Sequence, residues 1–95
     1  MDHEIKGRFI WRKAKAALVW RARKIAFADI CAALDDPHSI TWLNEDGSRD
    51  VRWVSVGKIG GKAYTIVHKP DGLYTRIITA WPSTEQEHDD YLNQA

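Results

Sequence analysis

The stretch Thr75-Arg76-Ile77-Ile78-Thr79-Ala80-Trp81-Pro82-Ser83-Thr84-Glu85-Gln86-Glu87-His88-Asp89-Asp90-Tyr91 decides the fold. Its first half is apolar and β-branched with a single arginine set into it, the pattern of a strand. After Pro82 the composition turns polar. Ser83 followed by Gln86 resembles a capping box, which predicts a helix over residues 84–93. A strand that carries a cation and leads directly into a titratable helix can build a phosphate-handling surface. The remaining residues can then be asked what supports or charges that surface.

Working back along the chain, residues 73–81 read as the longest strand, and Pro70-Asp71-Gly72 as a tight turn. Residues 62–69 form another strand, preceded by a glycine turn at Gly60-Gly61. The alternating residues 51–56 form a strand ended by Gly57, Asp46-Gly47 is a turn signal, and residues 39–43 are a further strand. Before Pro37 the periodicity is helical. Phe27, Ile30, Cys31 and Leu34 repeat at i, i+3, i+4 and i+7, so residues 26–34 form an amphipathic helix that Asp35-Asp36-Pro37 stops. Residues 12–22 are rich in helix formers. Ala14, Ala17, Leu18 and Ala22 are expected on their buried side, with Lys13, Lys15 and Arg21 nearer solvent. Residues 7–11 read as a short strand and residues 1–6 are expected to fray. The expected architecture is a single α+β domain over residues 1–95, ordered β-α-α-β-β-β-β-α. Its sheet would be a mostly antiparallel meander packed on a helical hairpin, because the loops are too short for crossovers.

Composition narrows the functional classes. Fourteen bases against thirteen acids give a net charge of +1, but the charges are segregated. Residues 1–24 hold eight Lys/Arg against two acids, residues 25–57 two against six, residues 58–80 four against one, and residues 81–95 none against four. A basic first segment beside a basic late hairpin offers one positive face to a polyanion; the alternative is a solvated helix face plus an acidic tail. The lone cysteine, Cys31, excludes an internal disulfide and falls in the apolar stripe of its helix, as a core residue would. No apolar run approaches the ~20 residues of a membrane span and the N-terminus lacks a signal-peptide core, so a cytoplasmic location without membrane contact is expected.

The candidate site follows from strand alternation. If Lys69 and Leu73 flank the Pro70-Asp71-Gly72 turn, His68 lies across from Tyr74, Ile66 from Arg76 and Tyr64 from Ile78. Tyr64, His68, Tyr74 and Arg76 then share a face that Arg52 joins. Guanidinium groups grip phosphate in bidentate fashion and aromatic rings stack unpaired bases, so this set suits single-stranded RNA. Cleavage through the 2′-OH would need a base, charge stabilisation at phosphorus and an acid, and none of these roles needs a metal or other cofactor. The plainer alternative is a polar, exposed sheet face. His3, His38, His68 and His88 show no metal-ligand spacing, and Gly57–Gly61 lacks the pattern of a phosphate loop. Trp11 and Trp53 are expected in the core, Trp42 and Trp81 in the core or at an interface.

Together these residues resemble the BrnT toxins of bacterial type II toxin–antitoxin systems over roughly residues 9–91. The marks are Phe9-x-Trp11, Lys15, Phe27, Asp36-Pro37, Arg52-Trp53 leading to Gly57, Arg76-Ile77-Ile78-Thr79-Ala80, Glu87 and Tyr91. The resemblance implies a compact RelE-like fold and a metal-independent endoribonuclease that inhibits translation. It also implies a BrnA-like ribbon-helix-helix antitoxin, with operator DNA bound only through the complex. It places Lys15, Arg52, Arg76 and Thr79 at the active face or its support. Arg52, Arg76 and Thr79 are therefore the catalytic candidates, with His88 or His68 for proton transfer, and Lys13, Lys15, Tyr64 and Tyr74 as RNA contacts. The chain departs from the family pattern at Ala22-Arg23 (usually Lys-His), Val51 (usually Glu), Trp81 and His88 (both usually Arg). The rival expectations are a catalytically degenerate BrnT-like module that binds antitoxin or nucleic acid, and a regulator that uses the basic N-terminal block.

Overall fold

The computed structural model describes residues 2–44 and 50–94. Its elements are β1 (His3–Lys6), β2 (Phe9–Arg12), α1 (Lys13–Arg23), α2 (Phe27–Leu34), β3 (Ile40–Asn44), β4 (Arg52–Ile59), β5 (Lys62–Asp71), β6 (Tyr74–Pro82) and α3 (Glu85–Leu92). They make an α+β fold around one six-stranded mixed sheet ordered β1-β2-β6-β5-β4-β3. Strands β3 to β6 form the expected antiparallel meander. The Asp46-Gly47 turn lies outside the described residues.

The other edge of the sheet differs from expectation. β2 pairs with β6 in parallel, Phe9 beside Thr75 and Ile10 beside Arg76, because the two helices carry the chain across the sheet before the meander begins. Residues 3–6, expected to fray, are a strand paired antiparallel with β2, from His3–Arg12 to Lys6–Phe9. The Lys13 amide also donates to the Asp2 carbonyl at 2.8 Å. All four β1 residues are exposed, so backbone pairing and a 2.7 Å hydrogen bond from Lys6 Nζ to the Ala28 carbonyl hold the strand, and no apolar pattern announces it.

α1 and α2 cover one face. Phe27, Ile30, Cys31 and Ala33 of α2 join Val19 of α1 and Phe9, Trp11, Ile66, Ile77 and Ala80 of the sheet in a buried cluster. Each large apolar side chain there contributes about 1.5–3 kcal/mol. Cys31 is a core residue as expected, and burial pushes its thiol up to about 11. The rotation of α1 is not the expected one. Ala16 and Val19 pack inward, while Ala14, Ala17, Leu18 and Ala22 are exposed. A stripe drawn mostly through alanines, which sit on either side of a helix at little cost, does not fix its phase. β4 does not end at Gly57 but runs through it to Ile59. A Cβ at Gly57 would lie 1.9 Å from the Ala33 carbonyl oxygen, so the missing side chain is what lets α2 rest on the strand. Trp53, expected in the core, sits one strand from the sheet edge and is 37% exposed.

α3 packs on β4 from the opposite face, over Val54, Val56, Thr65 and Val67, all buried. Its capping box lies one residue later than expected: the Glu87 amide donates to Thr84 Oγ1 at 3.2 Å, and the Thr84 amide to Glu87 Oε1 at 2.8 Å. Ser83 instead shares a 2.8 Å hydrogen bond with the Thr65 hydroxyl. Tyr91 donates to Asp36 Oδ2 at 2.6 Å, and the same carboxylate accepts the His38 and Lys58 amides at 2.9 Å each. Asp36 thereby ties the end of α2 to β4 and α3. The Tyr91 hydroxyl, helped by those two amides against burial, holds its carboxyl below the usual value.

Candidate functional site

The face under α3 is built in cross-strand rows. Val56, Thr65 and Trp81 form one row, and Val54, Val67 and Thr79 the next. One step further along the same face the chemistry changes. Lys69 pairs with Arg76, and Arg52 takes the place beside Lys69, since Trp53 pairs with His68. Arg52, Lys69 and Arg76 thus stand side by side on three adjacent strands, just beyond the apolar area that α3 covers. Beyond Arg76 the row reaches Ile10 of β2. Period-2 alternation then puts Arg12, and its partner His3, on this same face.

Acids cap the cations. Arg76 Nε and Nη2 both donate to Asp71 Oδ2, at 2.8 and 2.5 Å, and Arg52 Nε and Nη2 donate to Asp50 Oδ2 at 3.1 and 3.0 Å. Lys69 Nζ donates to Asp50 Oδ1 at 2.9 Å. The Lys69 ammonium, then the Arg52 guanidinium, hold the Asp50 carboxyl below its usual value. The exposed pairs with Asp50 add ~0–1 kcal/mol to stability, so they orient Arg52 and Lys69 more than they hold the fold.

Arg52, Lys69, Asp71 and Arg76 line a cleft of about 1040 Å³ whose other wall is Arg12, His3 and the first turn of α1 with Lys13 and Lys15. That helix start has no side-chain cap and no acidic residue in its first turn. Two lysines beside the positive end of a helix dipole repel it, and an anion bound there would relieve the repulsion.

Of the residues predicted from the sequence, the cleft gathers Arg52, Arg76, Lys13 and Lys15. Thr79 lies on the same side of β6, half-buried, separated from Arg76 by a bulge at Ile78. Tyr74 is on this face too, paired with Asp71 at the hairpin end. The single face expected for Tyr64, His68, Tyr74 and Arg76 does not form, because the β5–β6 register differs. The turn is the two-residue Gly72-Leu73, with Gly72 at φ +60°, and Asp71 pairs with Tyr74. Tyr64 packs toward the helical cluster. His68 Nε2 is 2.7 Å from Ser55 Oγ, itself 2.7 Å from Thr41 Oγ1, and burial followed by the Arg8 charge holds the imidazole below its usual value. His88 is on α3, its Nε2 buried and without a hydrogen-bond partner among the described residues, and it does not line the cleft. Among the departures from the resemblance, Trp81 donates from Nε1 to Glu87 Oε1 at 3.0 Å, Arg23 reaches the Ala80 carbonyl at 3.5 Å, and Val51 is exposed.

Sequence reasoning missed Lys69, Arg12 and His3. The centre of β5 is buried on both sides, with Thr65, Ile66 and Val67 all inaccessible, so its alternation carries no sign of which side is which. Only the pairing of β1 with β2 would have placed His3. Among the described residues no group of three metal-ligating side chains occurs.

An open, cation-lined sheet face next to an uncapped helix start defines a small α+β domain that presents a cleft to anions. A family model for the BrnT ribonuclease toxin of type II toxin–antitoxin systems matches residues 11–87, and the chain belongs to that family. Membership of a type II system implies an antitoxin partner. A search of curated proteins found no match. No described helix is long and apolar enough to cross a membrane.

Proposed function

We propose that this chain is an active endoribonuclease toxin of the RelE-like type. It cleaves RNA by attack of the 2′-OH on the adjacent phosphodiester, without a metal, inhibits translation in the cytoplasm, and is neutralised by a BrnA-like ribbon-helix-helix antitoxin through which the complex binds its operator. The observation that carries this reading is the Arg52–Lys69–Arg76 row on the open half of the sheet. Three cations on neighbouring strands, ~4.8 Å apart, suit a phosphodiester backbone, whose charge grows as the pentacoordinate transition state forms. Lys13 and Lys15 extend the positive surface along the cleft and steer RNA toward it. Thr79, beside the row, supplies a hydrogen bond. His88 and His68 do not line the cleft, and substituting each tests its part in proton transfer.

Expression in a bacterium with and without the adjacent antitoxin gene tests the proposal. Growth arrest relieved by the antitoxin, together with cleavage of a short RNA by the purified protein in EDTA, is expected. Well-folded protein that neither arrests growth nor cuts RNA would leave the binding-module reading, and activity that chelation abolishes would overturn the metal-free route.

A further inference from the structure

We infer that His3 is the general base of this cleft, taking the proton from the RNA 2′-hydroxyl. The inference rests on the ribonuclease proposal and adds a residue to it. Two independent features place the side chain. His3 lines the cleft that Arg52, Lys69 and Arg76 wall on the other side. Its pairing with Arg12, and the pairing of Ile10 with Arg76, put His3, Arg12 and Arg76 on one face of the sheet. Two strand spacings and two residues of rise separate His3 from Arg76 by ~12 Å between Cα atoms, a gap that a long arginine side chain and one ribose-phosphate unit can span.

The chemistry needs such a group. The other polar side chains lining the cleft are guanidinium, ammonium or carboxylate groups, whereas imidazole is the side chain whose ordinary titration falls between pH 5 and 8. Among the described residues the His3 ring makes no hydrogen bond or ion pair, so its nitrogens are open to a substrate. The charged groups that line the cleft with it are Arg12 from β2, Lys13 and Lys15 from α1, Asp2 beside it, and Arg52, Lys69, Asp71 and Arg76 across the cleft. Their predominantly positive field favours an anionic ligand in the cleft.

In the step, His3 accepts the 2′-OH proton while the 2′ oxygen bonds to phosphorus. The P–O5′ bond breaks with its electron pair on O5′, which takes a proton from water. The hydroxide left behind is neutralised by the imidazolium, restoring His3. The products are a 2′,3′-cyclic phosphate and a 5′-hydroxyl.

The test uses the full chain without an N-terminal tag and a short RNA in EDTA, with wild type, His3→Ala and His3→Gln assayed from pH 5 to 9. Because His3 is exposed, both variants should fold, which thermal melting checks. Wild-type cleavage should rise with pH through the imidazole range and level off. Each variant should lose ~10²–10⁴-fold in rate together with that rising limb. Added imidazole should restore part of the His3→Ala rate, and affinity for an uncleavable 2′-deoxy analogue should be unchanged. Wild-type rate and pH profile in both variants would overturn the inference alone. Absence of cleavage by wild type would overturn it together with the ribonuclease proposal.

Discussion

At Arg76 the site is already in tension with itself. The guanidinium side chain is 19% exposed and spends two of its donors on one Asp71 oxygen at the cleft. In the proposed reaction a phosphate displaces that carboxylate, and Arg76 then offers a planar fork that lysine lacks. On the proposed function, Arg76→Ala should lower cleavage ~10²–10³-fold, and Arg76→Lys should recover only a small part of it. Asp71→Asn should act in the other direction, tightening RNA binding several-fold at fixed salt because it frees the guanidinium and removes a negative charge. Fluorescence anisotropy with an uncleavable RNA measures the second effect, and unchanged affinity would show that Asp71 does not compete with phosphate. Arg76, which lines the cleft, was legible as a candidate because a lone cation in a β-branched run is conspicuous. Lys69, in a strand with several polar residues, was not.

Among the elements, α3 and α2 each depend on one local device. The box that starts α3 is Thr84 with Glu87, so Thr84→Ala should cost about 1 kcal/mol in denaturant melts. Gln86→Ala, which removes only a bond to Asp90, should stay within ~0.5 kcal/mol. Equal losses would contradict the observed box. Both Ser83 and Thr84 satisfy the capping pattern, and the sequence offers no means of choosing between them. The Thr65 hydroxyl, brought near by the sheet, engages Ser83 and leaves Thr84 to the helix. At Gly57 the strand lies so close to the Ala33 carbonyl that Gly57→Ala should destabilise by about 3 kcal/mol or more. The glycine was visible in the sequence and read as a strand end, because close approach by a helix leaves no trace in the local pattern.

For the whole molecule, acid is the expected weakness. The buried His68 ring has a depressed pKa in the fold, so its neutral form stabilises the native state above the ordinary imidazole value of 6.5. Below that value the unfolded chain binds the extra proton and stability falls. Asp36 is also depressed, by the Tyr91 hydroxyl first, and Asp50 by Lys69. Glu87 is depressed despite burial, because the Thr84 amide and then the Trp81 indole outweigh it. Those contributions persist above the ordinary carboxylate values of 3.8 and 4.5 and are lost further down. Circular dichroism melts should show Tm falling as pH drops from 8 to 5, with a second loss below 4.5. His68→Gln should flatten the first decline; an undiminished slope would show that another group causes it.

The sequence by itself determined the number and kind of most elements, the core helix around Phe27 and Ile30, the meander from β3 to β6, and the family. These rest on spacing within one segment, where periodicity, turn residues and motif order act locally. The tertiary structure decided which residues meet. The parallel β2–β6 pair, the bulge at Ile78 and the placing of α3 on the second face sent Tyr64 and His68 to one side and Arg76 to the other. They also set His3 and Lys69 beside the cleft. Register and face are fixed by packing between segments distant in sequence, and in a strand buried on both sides no local pattern distinguishes them.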